Sequence, residues 1–234
     1  MIVADCTVYE LRRYTLHPGT RAAFVELFET YLLDTQDAAG MRVLGQFHDI
    51  DRPDAFVWLR GFANMERRRA SLTEFYYGPV WAAHSAAANA MMIDSDDVLL
   101  LESAVGDQSL AGDIGPRPPL GATSVGPAEI ELAICPVPDG DTEHATEVAR
   151  VHRAVGGDNL PSLRTLRAPN NFPQLPVHQD RYVAVTLTRF TDAAAAQHAR
   201  TAPAYRAAAE EIDALADGPV ERLRLTPTPR SALR

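Results

Sequence analysis

Lysine is absent from the 234 residues, so every basic side chain other than the seven histidines is arginine. That removes a lysine Schiff base and a P-loop lysine from the available chemistry. Cysteine is nearly absent as well. Cys6 and Cys135 are too few for a disulfide framework and form no C-x-x-C pair. Each falls in an expected strand, where a free thiol is normally buried and inert. No H-x-x-x-H spacing occurs either, so no metal site is expected. No segment reaches the roughly 18 apolar residues of a membrane span. Met1 to Cys6 carry no basic stretch leading into a long apolar run. No signal peptide is therefore expected, and the cytoplasm is the expected location. The net charge of −9 argues against nucleic acid or an anionic membrane surface as a partner, since both attract basic patches. G-x-S-x-G and G-x-G-x-x-G are both missing, which removes a hydrolase elbow and a Rossmann cofactor site. Ser71 and Ser85 have no visible triad.

What remains is a chain with 46% hydrophobic residues, enough for a sizeable core. Residues 3–15 read as a strand rich in β-branched and aromatic side chains. Phe24, Leu27, Phe28 and Tyr31 recur at helical spacing, giving an amphipathic helix to about Asp37. Strands follow at 42–49 and 55–62, joined as a hairpin by Asp51-Arg52-Pro53-Asp54. Asn64 is placed to cap a helix with Arg67 to Arg69 on its solvated face. Gly78-Pro79 interrupts that helix, and Pro79 suits the first turn of a second segment. Residues 96–102 make a fourth strand. The order β-α-β-β-α-β is the ferredoxin-like unit.

Residues 103–127, with Gly106, Gly112, Gly115, Gly121, Gly126 and Pro116, Pro118, Pro119, Pro127, lack apolar periodicity and read as a linker or long surface loop. The pattern then restarts, with strands at 129–135, 163–166, 182–190 and 220–225. Helices are expected over 142–154 and 192–215, the latter broken near Pro203. Pro138-Asp139-Gly140-Asp141 is a turn, and Pro227 and Pro229 mark an exposed tail. Tyr9-Glu10-Leu11 answers Ile130-Glu131-Leu132, Phe62-Ala63-Asn64 answers Phe190-Thr191-Asp192, and Pro79-Val80-Trp81 answers Pro203-Ala204-Tyr205. Three landmarks in one order indicate an internal duplication. The expected fold class is α+β. Two tandem ferredoxin-like lobes, 1–103 and 128–234, are joined by the 104–127 linker and packed sheet to sheet, so that each covers the other's bare face.

Tyr9-Glu10-Leu11-Arg12-Arg13-Tyr14, Pro18-Gly19, Gly45-Gln46-Phe47-His48, Phe56 to Phe62 and Phe75-Tyr76-Tyr77-Gly78-Pro79-Val80-Trp81 resemble the NIPSNAP-type branch of the dimeric α/β-barrel superfamily. The match is good over residues 6–102 and rests on the repeat beyond them. The resemblance implies an intrachain dimeric α/β barrel with a pocket between sheet and helices. It also implies several activities: cofactor-independent monooxygenation of phenols and quinols, polyketide isomerisation or cyclisation, haem chemistry, or plain ligand binding. Fold alone does not choose among them.

Both tryptophans lie in the stretch from Phe56 to Asn89. Tyr77, Trp81, His84 and Ala88 share one helix face, which serves equally as core packing or as a base facing an aromatic cavity. His48 ends a strand beside Asp49, a surface hairpin histidine or a second base. Arg60 shares a strand face with Trp58, Phe56 and Phe62 and needs a counter-charge there, from Glu10 or a bound anion. The expected catalytic residues are His84 and His48. Trp58, Arg60, Tyr76, Tyr77, Trp81 and Asn89 are the expected substrate-binding set. Thr186 stands opposite Trp58 in the repeat and Ala208 opposite His84, so the first half is the expected working lobe. His17, His144 and His152 are expected to be exposed.

The expected function is a small-molecule enzyme of secondary metabolism, an oxygenase without metal, flavin or other cofactor. It would act with O2 on a phenolic or quinonoid aromatic polyketide. A non-catalytic NIPSNAP-like binding or scaffold protein, or a polyketide cyclase or isomerase on the same pocket, is the alternative. Further association into a homodimer stays open.

Overall fold

The computed structural model describes residues 6–234 except 107, 113, 140, 154, 156 and 157. Residues 3–5 of the first expected strand and Gly140 of the expected turn lie outside the described residues. Period-two patterning gives β1 at Val8–Leu16, β2 at Arg42–Asp49 and β3 at Ala55–Phe62. Between β1 and β2 the chain forms α1 (Arg21–Leu27), a π-helical turn (Phe28–Leu32) and α2 (Leu33–Ala38). The π-turn interrupts what apolar spacing suggests is one regular helix. Asn64 caps α3 (Met65–Tyr76) by accepting from the Arg67 amide at 2.8 Å. Pro79 opens α4 (Pro79–Asn89), since the first helical position needs no N–H. β4 runs from Met92 to Ser103, four residues earlier than apolar content alone suggests.

The second half follows with β5 (Glu129–Pro136), α5 (Thr142–His152), a two-residue β6 (Asp158–Asn159) and β7 (Leu163–Thr165). It ends with β8 (Val183–Phe190), α6 (Ala193–Thr201), α7 (Pro203–Leu215) and β9 (Glu221–Pro227). Every ladder is antiparallel. The first half orders its strands β4-β1-β3-β2 and the second β9-β5-β8-β7. Short ladders between β2 and β9 and between β4 and β7 join the halves. Eight strands therefore close on themselves, with β6 continuing the β7 edge of β8 at Arg189 and Thr188. Closure removes the exposed edges an open sheet would present.

Alternation sorts the side chains of each strand. Tyr9, Leu11, Leu59, Leu99, Ile130, Leu132, Val185 and Leu223 point into the barrel and form one apolar core. The opposite face of the first half packs under α1–α4, and that of the second under α5 and α7. Gly61 is small because Cys6 lies over it: an added Cβ would sit 2.7 Å from Cys6 Sγ. Cys6 and Cys135 are buried thiols outside any disulfide, and burial pushes the Cys135 thiol up to about 11.

Three surface expectations give way to packing. The 103–127 segment is not wholly a surface loop, because Leu110 and Ala111 are buried in the barrel core and the Leu110 amide donates to Tyr9 Oη at 3.2 Å. The tail after Pro227 is not exposed. Leu233 is fully buried, and Thr228 Oγ1 and the Arg230 amide both donate to Glu29 Oε1. His152 is buried rather than exposed, on the core-facing side of α5. No helix among the described residues is long and apolar enough to cross a membrane.

Candidate functional site

The helix-facing side of the first half is built from alternate residues of four paired strands. Glu10, Arg12 and Tyr14 come from β1, Gln46 and His48 from β2, Trp58 and Arg60 from β3, and Leu100 from β4. Glu10 is wholly buried at its centre. Its Oε2 accepts from Arg12 Nη1 at 2.8 Å and Arg60 Nε at 2.9 Å, and its Oε1 accepts from Arg68 Nε at 2.7 Å. Burial pushes this carboxyl up, but Arg60, Arg12 and Arg68 outweigh it and hold the group well below the usual carboxylate range. One carboxylate thus faces three guanidiniums, a local excess of two positive charges.

The remaining donors are only partly used. Arg60 Nη1 donates to Gln36 Oε1 at 2.9 Å, and Arg12 Nε to Tyr14 Oη at 2.9 Å. Arg68 Nη1 donates to Asn170 and Asn171 at 3.1 and 2.7 Å. Arg60 Nη2 is 2.7 Å from Glu10 Oε2, but at an angle that makes no hydrogen bond. Arg68 Nη2 and Trp58 Nε1 are buried with no hydrogen-bond partner among the described residues. Such groups are rare in folded proteins and costly to leave unmatched. Two cations approach the Trp58 ring, with Arg12 Cζ 5.6 Å and Arg60 Cζ 5.0 Å from its centroid. Phe28 and Tyr14 meet it edge-on at 5.0 and 5.9 Å.

Trp58 is 1% exposed, so it fills this space rather than lining an open slot. Arg60 has the Glu10 counter-charge its position requires. His48 is half-buried on the same sheet face. Burial, then Arg21, lowers its pKa, and its Nε2 is buried without a partner among the described residues. His84 lies elsewhere, half-buried on α4 and stacked on Tyr31 at 3.9 Å. Trp81 packs on Tyr76 and Phe75 at 4.9 and 5.8 Å. Tyr77 is 69% exposed and accepts from Gln174 Nε2 at 2.6 Å, and Asn89 is exposed. The structure therefore gathers Trp58, Arg60 and His48 on one face and sets His84, Tyr77 and Asn89 outside it.

Arg12 and Arg68 belong to the cluster and were not among the expected residues. Of the Arg67–Arg69 run, Arg67 and Arg69 are solvated, but Arg68 is fully buried. A strap from the second half, Asn170 to Val177, crosses the first-half helices. Asn171 Nδ2 donates to the Met65 carbonyl at 2.6 Å, and Phe172 packs 6.0 Å from Tyr76. Among the described residues, no cluster of three or more His, Cys, Asp or Glu side chains is arranged to hold a metal ion.

The sequence profile of the NIPSNAP family matches residues 9–104. A search of curated protein sequences gives no match. Solved structures match over nearly the whole length. A provisionally assigned monooxygenase from Lactobacillus acidophilus is 14% identical, covering 95% of this chain and 94% of its own, at a TM-score of 0.59. Another, from Fusobacterium nucleatum, is 10% identical over 98% and 97% of the two chains, at 0.60. An anthrone oxidase-like protein is 14% identical over 97% and 94%, at 0.59. At such identities the likeness is one of fold.

Proposed function

We propose, for a chain that is NIPSNAP-like over residues 9–104, a small-molecule oxygenase acting on an electron-rich aromatic substrate without metal or flavin. The fold behind the proposal is a pair of ferredoxin-like lobes, 1–103 and 128–234, joined by the 104–127 linker as an intrachain dimeric α/β barrel. The matching strand orders of the two halves support it. The monooxygenase-type names among proteins of similar fold support the reaction class.

The observation that carries the reading is the surplus of buried donors around Trp58. Three guanidiniums, one carboxylate and an unpaired indole N–H favour a ligand that becomes anionic as it reacts. A phenol or hydroquinone, once deprotonated, is electron-rich enough to reduce O2. At a substrate methylene, loss of a proton, addition of O2 and reprotonation replace one C–H bond by a C–OOH bond. Loss of water from that hydroperoxide then leaves a carbonyl at the same carbon, consuming one O2 and forming one water. His48 is the preferred base, because it is uncharged near neutral pH and shares the Trp58 face. His84 is the second candidate. Trp58, Tyr76 and Trp81 supply the aromatic wall of this reading, with Arg60 as donor to the oxyanion or peroxide, while the exposed Tyr77 and Asn89 lie off this face and take no part. The strap must lift to admit a substrate, since side chains fill the space beneath it.

That filling favours one other reading, a binding or scaffold role without chemistry. The experiment that separates them supplies hydroquinones and phenolic polyketides to chelator-treated protein under 18O2. Label in the product, lost in His48→Ala, supports the oxygenase. Product without label points to a cyclase or isomerase, and no turnover of any substrate supports the non-catalytic role. Unchanged turnover in both His48→Ala and His84→Ala would sink the assigned chemistry.

A further inference from the structure

The strap leaves the barrel after β7 and returns to it before β8. Each of its roots is pinned to β4 by a backbone hydrogen bond. The Leu166 amide donates to the Leu100 carbonyl and the His178 amide to the Val98 carbonyl, both at 2.9 Å. Just inside these points, Pro169 and Pro176 have no N–H to donate, so neither root can extend its pairing with β4. A cleft of about 230 Å3 opens there, lined by both roots, Leu166 to Pro169 and Val177 to Gln179, with Leu100 and Tyr182. Leu100, Leu166 and Val177 belong to the packing of the first half, and Tyr182 to that of the second. Leu166, Val177 and Tyr182 are only partly buried, so the cleft offers apolar surface to a ligand.

Size and charge set the class of that ligand. An apolar cavity of about 150 Å3 holds benzene, so about 230 Å3 has room for one substituted aromatic ring. The chain carries a net charge of −9, yet the lining includes Arg167 and His178 and no acidic residue. The His178 ring is engaged, its Nε2 lying 3.2 Å from Asp97 Oδ1. Arg167 is the cation within reach of solvent. Its Cζ lies 5.4 Å from the centre of the Tyr182 ring, which sets the charge against an aromatic wall of the cleft. Its carboxylate partner, Asp139, is 2.9 Å away, and both side chains are more than half exposed. An exposed pair of this kind contributes little to stability, so a ligand carboxylate can take the place of Asp139.

We propose that the cleft between the strap roots is a second ligand site, taking a single-ring aromatic carboxylate. The ring packs against Leu166, Val177 and Tyr182, and the carboxylate pairs with Arg167. Because both roots line the site, an occupant bridges them and holds the strap down, since a ligand that binds one state of an equilibrium shifts it toward that state. The site involves no chemistry and is separate from the Trp58 face. Only the consequence for substrate entry rests on the oxygenase reading.

The test uses the whole chain with benzoate as the probe, followed by calorimetric titration and by hydrogen exchange over residues 166–179. Benzoate should bind saturably, and at about ten times its Kd it should slow exchange of the strap about tenfold. Arg167→Gln should weaken benzoate at least about tenfold, and benzyl alcohol, which keeps the ring and lacks the charge, should bind the wild type as weakly. Asp139→Asn removes the competing carboxylate and should bind benzoate at least as tightly as the wild type. Both residues are exposed, so these variants keep the fold. Failure of the oxygenase assay with benzoate binding intact overturns only the earlier reading. The second site is overturned by absence of saturable binding, by equal affinity in Arg167→Gln or for benzyl alcohol, by weaker binding in Asp139→Asn, or by binding that leaves strap exchange unchanged.

Discussion

Glu10 and Arg60 face each other directly across the β1–β3 ladder, and their side chains meet at 2.9 Å beneath the helices. Neither is exposed. Removing the carboxylate leaves Arg12, Arg60 and Arg68 buried without a counter-charge. Glu10→Ala is therefore expected to destabilise the fold by about 3–5 kcal/mol, measured by urea denaturation. A cost below about 1 kcal/mol would mean that the cluster is balanced by something other than Glu10. The same pair sets an acid limit. The folded carboxyl is held below its ordinary value of 4.5, so its contribution is complete above that pH and declines as pH falls below it.

A second pH effect has its origin at His152 and acts in a higher window. The unfolded ring takes up a proton near pH 6.5, while the folded ring resists until about pH 4. Between these values the unfolded state binds more protons, so stability is complete above pH 6.5 and falls as pH drops. Over the whole window this amounts to about 3 kcal/mol. Unfolding free energies at pH 7 and pH 5 should differ by about 2 kcal/mol more in the wild type than in His152→Leu. Equal pH dependence in the two proteins would show that His152 is not held neutral by the fold.

Local signals made most elements legible. The hairpin of β2 and β3 follows its alternation and turn residues, and Pro79 and Pro203 mark both helix breaks because proline cannot continue a helix but suits the first turn of the next. The site was less legible, since it depends on which charged groups turn inward. Arg68 reads like its neighbours Arg67 and Arg69 until the carboxylate of Glu10 is found under α3. His152 did carry a signal, lying seven residues after Ala145 and four after Val148 on the buried stripe of α5. The contrast between Trp58 and Thr186 was visible, and in the structure the tryptophan fills its face while a cavity of about 20 Å3 lies beside the threonine. The π-turn at Phe28–Leu32 and the buried tail had no local signature at all.

The tail is held by more than backbone pairing. The Leu233 amide donates to the Leu44 carbonyl at 2.9 Å, and its side chain sits in the barrel core. Leu233→Ala should cost about 2–5 kcal/mol through lost burial and the cavity left behind. Thermal denaturation would register this as a clear fall in melting temperature, and an unchanged value would mean that the tail leaves the core in solution.

The strap from Asn170 to Val177 is the remaining test of how the first half opens. Its grip on the helices is small: Asn171 on the Met65 carbonyl, Asn170 and Asn171 on Arg68, Gln174 on Tyr77, and Phe172 against Tyr76. Phe172→Ala removes the apolar part and should cost about 3–5 kcal/mol in local or global stability. Asn171→Ala removes two hydrogen bonds and should cost about 1–3 kcal/mol, with Arg68 left short of a partner. Hydrogen exchange over residues 166–179 should accelerate in both variants, while β1 and β3 stay protected. If the strap controls entry to the Trp58 face, the faster-opening variants should also show a lower KM for a bulky aromatic substrate. Faster exchange with an unchanged KM would assign the strap to packing alone.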